Sequence, residues 1–540
     1  MAGLDDFEPL NPAEQRLIAE IGSVETVVFG QDVPPEDAGP ERGIRAGLIA
    51  WLMRGGDGTV TVPDTGVRVA GARIAGELNL EGARCPRSLA FLFCRIEEAP
   101  LLRDAEIDNL FLNGSALPGL DADRLTTRGN VHLRGAKVTG EVRLLGSKLG
   151  GDLSCVGVML TAGAKGKALS GDGIDARGDV RLDGAKVTGE VGLPGARLSG
   201  DLVCVGATLT AGKTGDALSA NGARIDGGLF LRPDDAGKKT VILGGFQMPG
   251  ARIGTIVDDP SCWPRQGDLV LNRCVYDGFG GRAPVDAESR IDWLARQDPA
   301  RFGEDFWPQP WEQCAKVLRE MGHRADARAI LIEKERRQRA AERGKLRAQL
   351  RNTAPPGTLA ITTRAPLIGG GVRLAAQAAW DGTLGAVLGY GHDMKRVLIW
   401  LGAAWLLGVL VFAIAFAQGA MKPNNAFILR SVEWAGCADD YVQKPGAPET
   451  RRAPDHATQL ACFQAQPEAA GYPRFNPWVY SADTLLPVVN LELQGYWVPD
   501  AAAAAPIGAA ARAFLWLQIL AGWALSLLAV AGFSGLVRSD

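Results

Sequence analysis

Residues 135–170, GAKVTGEVRLLGSKLGGDLSCVGVMLTAGAKGKALS, return 49 positions later as residues 184–219, GAKVTGEVGLPGARLSGDLVCVGATLTAGKTGDALS, with 25 of 36 positions identical. Self-similarity at a fixed period marks a repeat architecture, in which each unit buries its apolar face against its neighbours. A finer pattern of eleven runs inside the unit: GNVHLRGAKVT, GEVRLLGSKLG, GDLSCVGVMLT, then GDVRLDGAKVT, GEVGLPGARLS, GDLVCVGATLT. Each block opens on Gly, holds apolar or small residues at positions 3, 5, 8 and 10, and has a second Gly at position 7.

Spacing of two keeps residues on one face of a strand, and spacing of three across a glycine turns a corner with the same face inward. A helix needs apolar residues at i, i+3, i+4 and i+7 and does not tolerate two glycines in eleven. The expected fold is therefore mainly β, a parallel β-helix over residues 61–283 with about 22 residues per coil. From residue 65 to residue 279 the pattern gives about ten coils and a rod of roughly 45–50 Å. Val138, Val142, Leu144, Leu149 and Leu153, with Val187, Val191, Leu193, Leu198 and Leu202, are assigned to its interior. The sixteen residues AGAKGKALSGDGIDAR interrupt the blocks and read as a longer coil or a lateral loop. An open apolar end calls for a cover. Residues 1–60 are read as a helical amino-terminal cap, with Ile44, Leu48, Ile49 and Leu52 at helical spacing before two glycines.

Beyond the repeats, QPWEQCAKVLREMGHRADARAILIEKERRQRAAERGKLRAQLRN reads as a helical hairpin within residues 284–352. Trp311, Cys314, Val317, Leu318 and Met321 form one stripe, answered by Ile330 and Leu331. Residues 328–351 carry nine basic and three acidic side chains in a chain of net charge −3. That run is a solvated face or an attraction to anionic lipid. Nucleic acid is excluded, because no aromatics interleave with the basic residues and the whole chain is acidic.

Residues 353–396 read as a juxtamembrane linker, followed by two uncharged runs of 25 residues at 397–421 and 513–537. Each is long enough to cross a hydrocarbon core of about 30 Å. The opening MAGLDDFEPLNPAEQ lacks the basic and apolar regions of a signal peptide. Lys395, Arg396 and Arg538 place both termini on the cytoplasmic side of a cell (inner) membrane and residues 422–512 outside. The nine cysteines include no CxxC pair, so neither a zinc knuckle nor a thioredoxin-like motif is written. Cys437 and Cys462, the two expected outside, can pair in an oxidising compartment.

The order of parts, with QPWEQCAKVLREMGHRADARAILI before the first run and NPWVYSADTLLPVVNLELQGYW before the second, resembles a group of bacterial two-span membrane proteins with pentapeptide-like or β-helical repeats. Some of these are labelled membrane-associated oxidoreductases, and the resemblance brings no catalytic residue with it. A dinucleotide site needs GxGxxG between a strand and a helix. The nearest string, GDGIDARGDVRL, lies inside the repeat and opens no helix. His132, His323, His392 and His456 form no metal-ligand pair, and Ser481 and Asp483 have no local histidine. No catalytic, cofactor-binding or metal residue is assigned, and no cofactor is expected.

LGYGHD at residues 388–393 resembles a potassium-channel filter but precedes the first run, whereas a filter lies between two spans. Tyr480, Ser481, Asp483, Thr484, Pro487 and Glu492 stand where a pore helix would, and no glycine-rich filter follows them. Their first reading is an interfacial amphipathic helix, with Trp478, Tyr480, Tyr496 and Trp497 in the headgroup belt. Both runs lack ionisable residues, which ion pathways usually need. The expectation from sequence is a membrane-anchored cytoplasmic solenoid scaffold with the lipid bilayer and a protein as partners, no catalysis and no ion flux. The alternatives are an oligomeric two-span channel or transporter-like protein with a regulatory solenoid, and an oxidoreductase. Entry of residues 480–493 into the bilayer separates the first two readings.

Overall fold

The computed structural model describes residues 3–23, 25–352, 395–438, 458–503 and 505–533, with isolated positions 375, 378 and 382. The chain divides into two compact units, Met1–Lys345 and Leu346–Asp540. LGYGHD and most of the 353–396 linker lie outside the described residues.

The first unit is a parallel β-solenoid. A complete coil has four short strands, exemplified by Val131–His132, Lys137–Val138, Val142–Arg143 and Lys148–Leu149. Each strand pairs in parallel with its counterpart one coil on, at Leu153–Ser154, Met159–Thr161, Lys167–Ser170 and Asp175–Ala176. The two glycines of a block do different work. Gly146, at position 7, has φ +63°, the left-handed conformation that turns the corner. At position 1, a Cβ on Gly140 would collide with the Pro118 carbonyl of the preceding coil. The ten residues assigned to the interior are each no more than 2% exposed. A side-chain ladder reinforces one corner. Asn109 accepts the backbone N–H of Asn130, Asn130 that of Asp152, Asp152 that of Asp179, Asp179 that of Asp201, and Asp201 that of Gly228, at 2.7–2.9 Å.

The long period comes from two alternating coils. Val131 pairs with Leu153, an advance of 22 residues, and Leu153 with Val180, an advance of 27. The same alternation follows from Val180 to Leu202 and from Leu202 to Leu229. One short and one long coil make the 49-residue unit. The sixteen interrupting residues are thus a longer coil: a turn at 162–166 supplies the excess, and Lys167–Ser170 rejoins the ladder. The longest stack runs through eleven strands, from Val27–Val28 by way of Val67–Ala70 to Val275–Phe279, so nine turns separate the last two and the rod is about 48 Å long.

Strand pairing begins earlier than the glycine pattern. Val27–Val28 pairs with the strand Val67–Ala70, and Gly43–Arg45 with Arg73–Ala75, inside the region read as a helical cap. Ile44 belongs to that second strand, and helix α2 covers only Ala46–Met53 after helix α1 at Pro12–Glu20. Leu48, Ile49 and Leu52 are fully buried. The ladder ends at Val275–Phe279. Helices α3 (Ala287–Ala295), α4 (Gln309–Glu320) and α5 (Arg324–Asn352) follow. Arg290 of α3 is fully buried, forms a bidentate pair with Asp258 at 2.8 Å, and lies 3.5 Å above the Phe279 ring. α4 and α5 touch through Glu312–Lys334 at 2.9 Å and through Arg337 over the Trp311 ring.

The second unit contains two helices long and apolar enough to cross a membrane, α6 (Lys395–Ala417) and, after the short α7 (Pro477–Leu485), α8 (Ile507–Phe533). α6 stops four residues before the uncharged run does. Gly419 at φ +69° and the bonds Ala420 N–H to Ala415 C=O and Gly419 N–H to Phe416 C=O form a Schellman cap. Met421–Pro423 then pairs antiparallel with Trp497–Pro499. α8 starts six residues before the second run, because Arg512 interrupts apolarity without interrupting the helix. Residues 534–537 lie outside the described residues. Cys437 and Cys462 are disulfide-bonded beside Trp434 and Phe463 in an aromatic core.

Candidate functional site

Asn476 starts α7 by accepting the N–H groups of Trp478 and Val479, and Pro477 occupies the first helical position. The helix ends at Leu485, two residues before Pro487, which cannot continue it. α7 packs between the midpoints of the two long helices.

Ser481 Oγ donates to the Trp405 carbonyl at 2.8 Å, and Gln518 Nε2 donates to Ser481 Oγ at 2.9 Å and to its carbonyl at 3.1 Å. Trp405 and Gln518 stand near the centres of α6 and α8. A Cβ on Gly408 would collide with Ser481 Oγ and the Gln518 amide, and one on Gly522 with the Leu485 carbonyl. Two glycines thus admit α7 from either side. Tyr480 is fully buried, with its ring 4.8 Å from Phe412 in a T-shaped contact, and Phe412 in turn meets Phe514. Thr484 folds its hydroxyl back onto the Tyr480 and Ser481 carbonyls.

From Leu485 the chain returns through the irregular residues 486–492 and the one-turn helix Leu493–Tyr496 to the strand at Trp497–Pro499. Asp483, 6% exposed, holds this return limb: one carboxylate oxygen accepts the Leu491 N–H at 2.7 Å and the other the Gln494 N–H at 2.6 Å. Between those two anchors Glu492 adopts a left-handed φ of +66° with its side chain exposed. The limb is bare on its outer side, with Val488 90% exposed. Phe475 near the start of the hairpin stacks on Phe416 near the end of α6. The hairpin therefore enters beside one end of the long helices, reaches their middle at Leu485, and leaves by the same end. By rise per residue Gly522 lies about 22 Å from the start of α8.

Of the residues singled out from sequence, Tyr480, Ser481, Asp483 and Thr484 come together in α7, while Pro487 and Glu492 lie on the limb. Sequence reasoning missed Gly408, Gln518 and Gly522. Their signal was available, since small residues and a single amide in otherwise large apolar helices mark contact faces.

Burial pushes the thiols of Cys155, Cys204, Cys274 and Cys314 up to about 12, far from the thiolate that nucleophilic or redox work needs. Among the described residues no three His, Cys, Asp or Glu side chains converge on a metal position. Comparison with family models, curated proteins and solved structures finds no match to the chain.

Proposed function

We propose that the chain is a two-span membrane protein that assembles as an oligomer around a re-entrant, pore-lining hairpin, with the β-solenoid as its soluble regulatory or partner-binding module. The observation that supports this reading best is α7 held between the midpoints of α6 and α8 and followed by the irregular stretch 486–492. If α6 and α8 cross a bilayer, the limb runs at hydrocarbon depth. Irregular backbone is tolerated there only when buried in protein or lining a water-filled cavity. In one copy it is neither, since Val488 and its neighbours are exposed. Further copies supply the wall and the lumen. A bare anchor needs only the two spans and gives the hairpin nothing to do.

Spanning itself is supported by exposure. Only 22% and 17% of the most apolar windows of α6 and α8 are buried within the chain, where a soluble core helix would be mostly covered. Lys395 and Arg396 at the start of α6, and Arg538, favour cytoplasmic termini in an inner membrane, so the hairpin enters from outside, on the side of the Cys437–Cys462 disulfide. In the solenoid we read α1 and α2 as the cover of one end and α3–α5 as the cover of the other. Its exposed large apolar residues, such as Phe93, Met159 and Val241, are scattered. The resemblance to bacterial two-span repeat proteins fits this order of parts.

Single cysteines placed through residues 480–493 and treated with a membrane-impermeant thiol reagent test the reading. The expected result is modification along 488–492 from the outer side only, with positions 480–485 protected. Uniform reactivity along both segments returns α7 to the membrane surface and leaves an anchored scaffold.

A further inference from the structure

The return limb shows what the path carries. The backbone carbonyls of Pro487, Val488, Val489, Asn490 and Leu491 accept no hydrogen bond from any described residue, although their neighbours on both sides do. Five consecutive bare carbonyl oxygens at hydrocarbon depth must be satisfied by water or by a cation, since an anion would meet their negative ends. At the outer end of this row Asn490 accepts the Glu492 N–H at 2.9 Å, while Asp483 ties down Leu491 and Gln494 on either side. These three bonds hold Glu492 in a backbone conformation that a non-glycine residue adopts only under constraint, and they leave its carboxylate exposed. We infer that in the oligomer the bare carbonyls and the Glu492 carboxylates, one set per copy, line a cation-selective path.

The inference rests on the pore reading above and adds the class of ion. It also limits discrimination among cations. No glycine occurs between Ala482 and Gln494, so a Cβ on every limb residue keeps neighbouring copies apart. A carbonyl ring close enough to strip an ion of its water is denied, and monovalent cations pass hydrated with little preference between sodium and potassium.

The test uses the purified full-length protein in liposomes under a tenfold KCl gradient, with tryptophan emission confirming the fold of each variant. Wild type is expected to give a reversal potential on the cation side, with sodium and potassium permeabilities within about twofold of each other, hydration setting the limit. Glu492→Lys is expected to reduce cation-over-anion selectivity at least tenfold with flux retained, and Glu492→Gln to fall between. Flux that is unselective or anion-selective in wild type, strong preference for one monovalent cation, or selectivity unchanged in Glu492→Lys overturns the inference while the pore reading stands. Folded wild-type protein that passes no ion overturns both.

Discussion

Adding a single methyl group at Gly522 challenges the hairpin where it can yield least. The ideal Cβ meets the carbonyl oxygen of Leu485 well inside contact distance, with the carbonyl carbon at 2.8 Å and the Cα at 3.2 Å. All three are backbone atoms at the end of α7, so relief requires the helix to move. Overpacking of this kind costs about 1–3 kcal/mol. At Gly408 the obstructing atoms are the Ser481 hydroxyl and the Gln518 amide, which can swing aside. Removing the Ser481 hydroxyl should cost about 0.6 kcal/mol, the average for hydrogen bonds between helices in membranes. The expected order of destabilisation is therefore Gly522→Ala, then Gly408→Ala, then Ser481→Ala. Denaturant unfolding of the full-length protein in micelles, followed by tryptophan emission, reads it, since Trp405 and Trp478 lie 5.4 Å apart across the α6–α7 contact. If Gly522→Ala unfolds at the wild-type midpoint, the close approach of α7 and α8 is wrong, and the re-entrant hairpin falls with it.

In the solenoid, Leu153→Ala should cost about 2–5 kcal/mol, seen as faster hydrogen exchange in the coils on either side, because Leu153 is fully buried. Asp179→Asn should keep the ladder bond to Asp201 and relieve repulsion from the carboxylates above and below, about 0.9 kcal/mol per neighbour at 4.8 Å in water, whereas Asp179→Ala should destabilise; a loss in both variants would show that the charge itself matters. Burial pushes the Glu14 carboxyl up, but hydrogen bonds from Arg45 and the Asn11 N–H, with the Arg45 charge, together outweigh it and hold the group below its ordinary 4.5. A depressed carboxylate contributes stability above its unfolded pKa and loses it as pH falls through the folded one. Acid unfolding should therefore show the gap between wild type and Glu14→Gln narrowing below about pH 4.5, and a constant gap would refute the coupling.

The coil was legible because its period-two faces and corner glycines repeat, so Val142, Leu144 and Leu149 announce themselves by spacing alone. The first coil was not, since Val27–Val28 and Gly43–Arg45 are joined by the irregular stretch QDVPPEDAGPE and carry no glycine at the block positions. The ladder, not the local pattern, makes those residues strands. The coil alternation was hidden for a related reason: ALS at 168–170 keeps the corner glycine of its block, Gly173 at φ +67°, but has Lys167 in place of the opening glycine, and its pairing with Val142–Arg143 is what places it in the ladder. For the hairpin, composition and order were legible in the sequence but the packing of α7 was not. Aromatic residues around Ser481 and Asp483 suit a headgroup belt and a buried helix equally well. What decides is the complementarity of Gly408, Gln518 and Gly522 on helices far away in sequence.

Two atoms where α7 meets α8 carry the packing argument one step further. Tyr480 Oη and Gln518 Oε1 are buried and have no hydrogen-bond partner within the described chain. Leaving such a group unpaired costs about 1–3 kcal/mol, so native structures rarely do so without water or a partner. Both atoms belong to the cluster that seats α7 and are enclosed within one copy, so the partner such a site admits is an internal water. Tyr480→Phe separates the cases by sign. If an internal water pairs the hydroxyl, the variant should lose about 1 kcal/mol, with tryptophan emission following the unfolding. If the hydroxyl has no partner, removing it deletes a penalty and the variant should be at least as stable as wild type, which would show that the seat of α7 is dry.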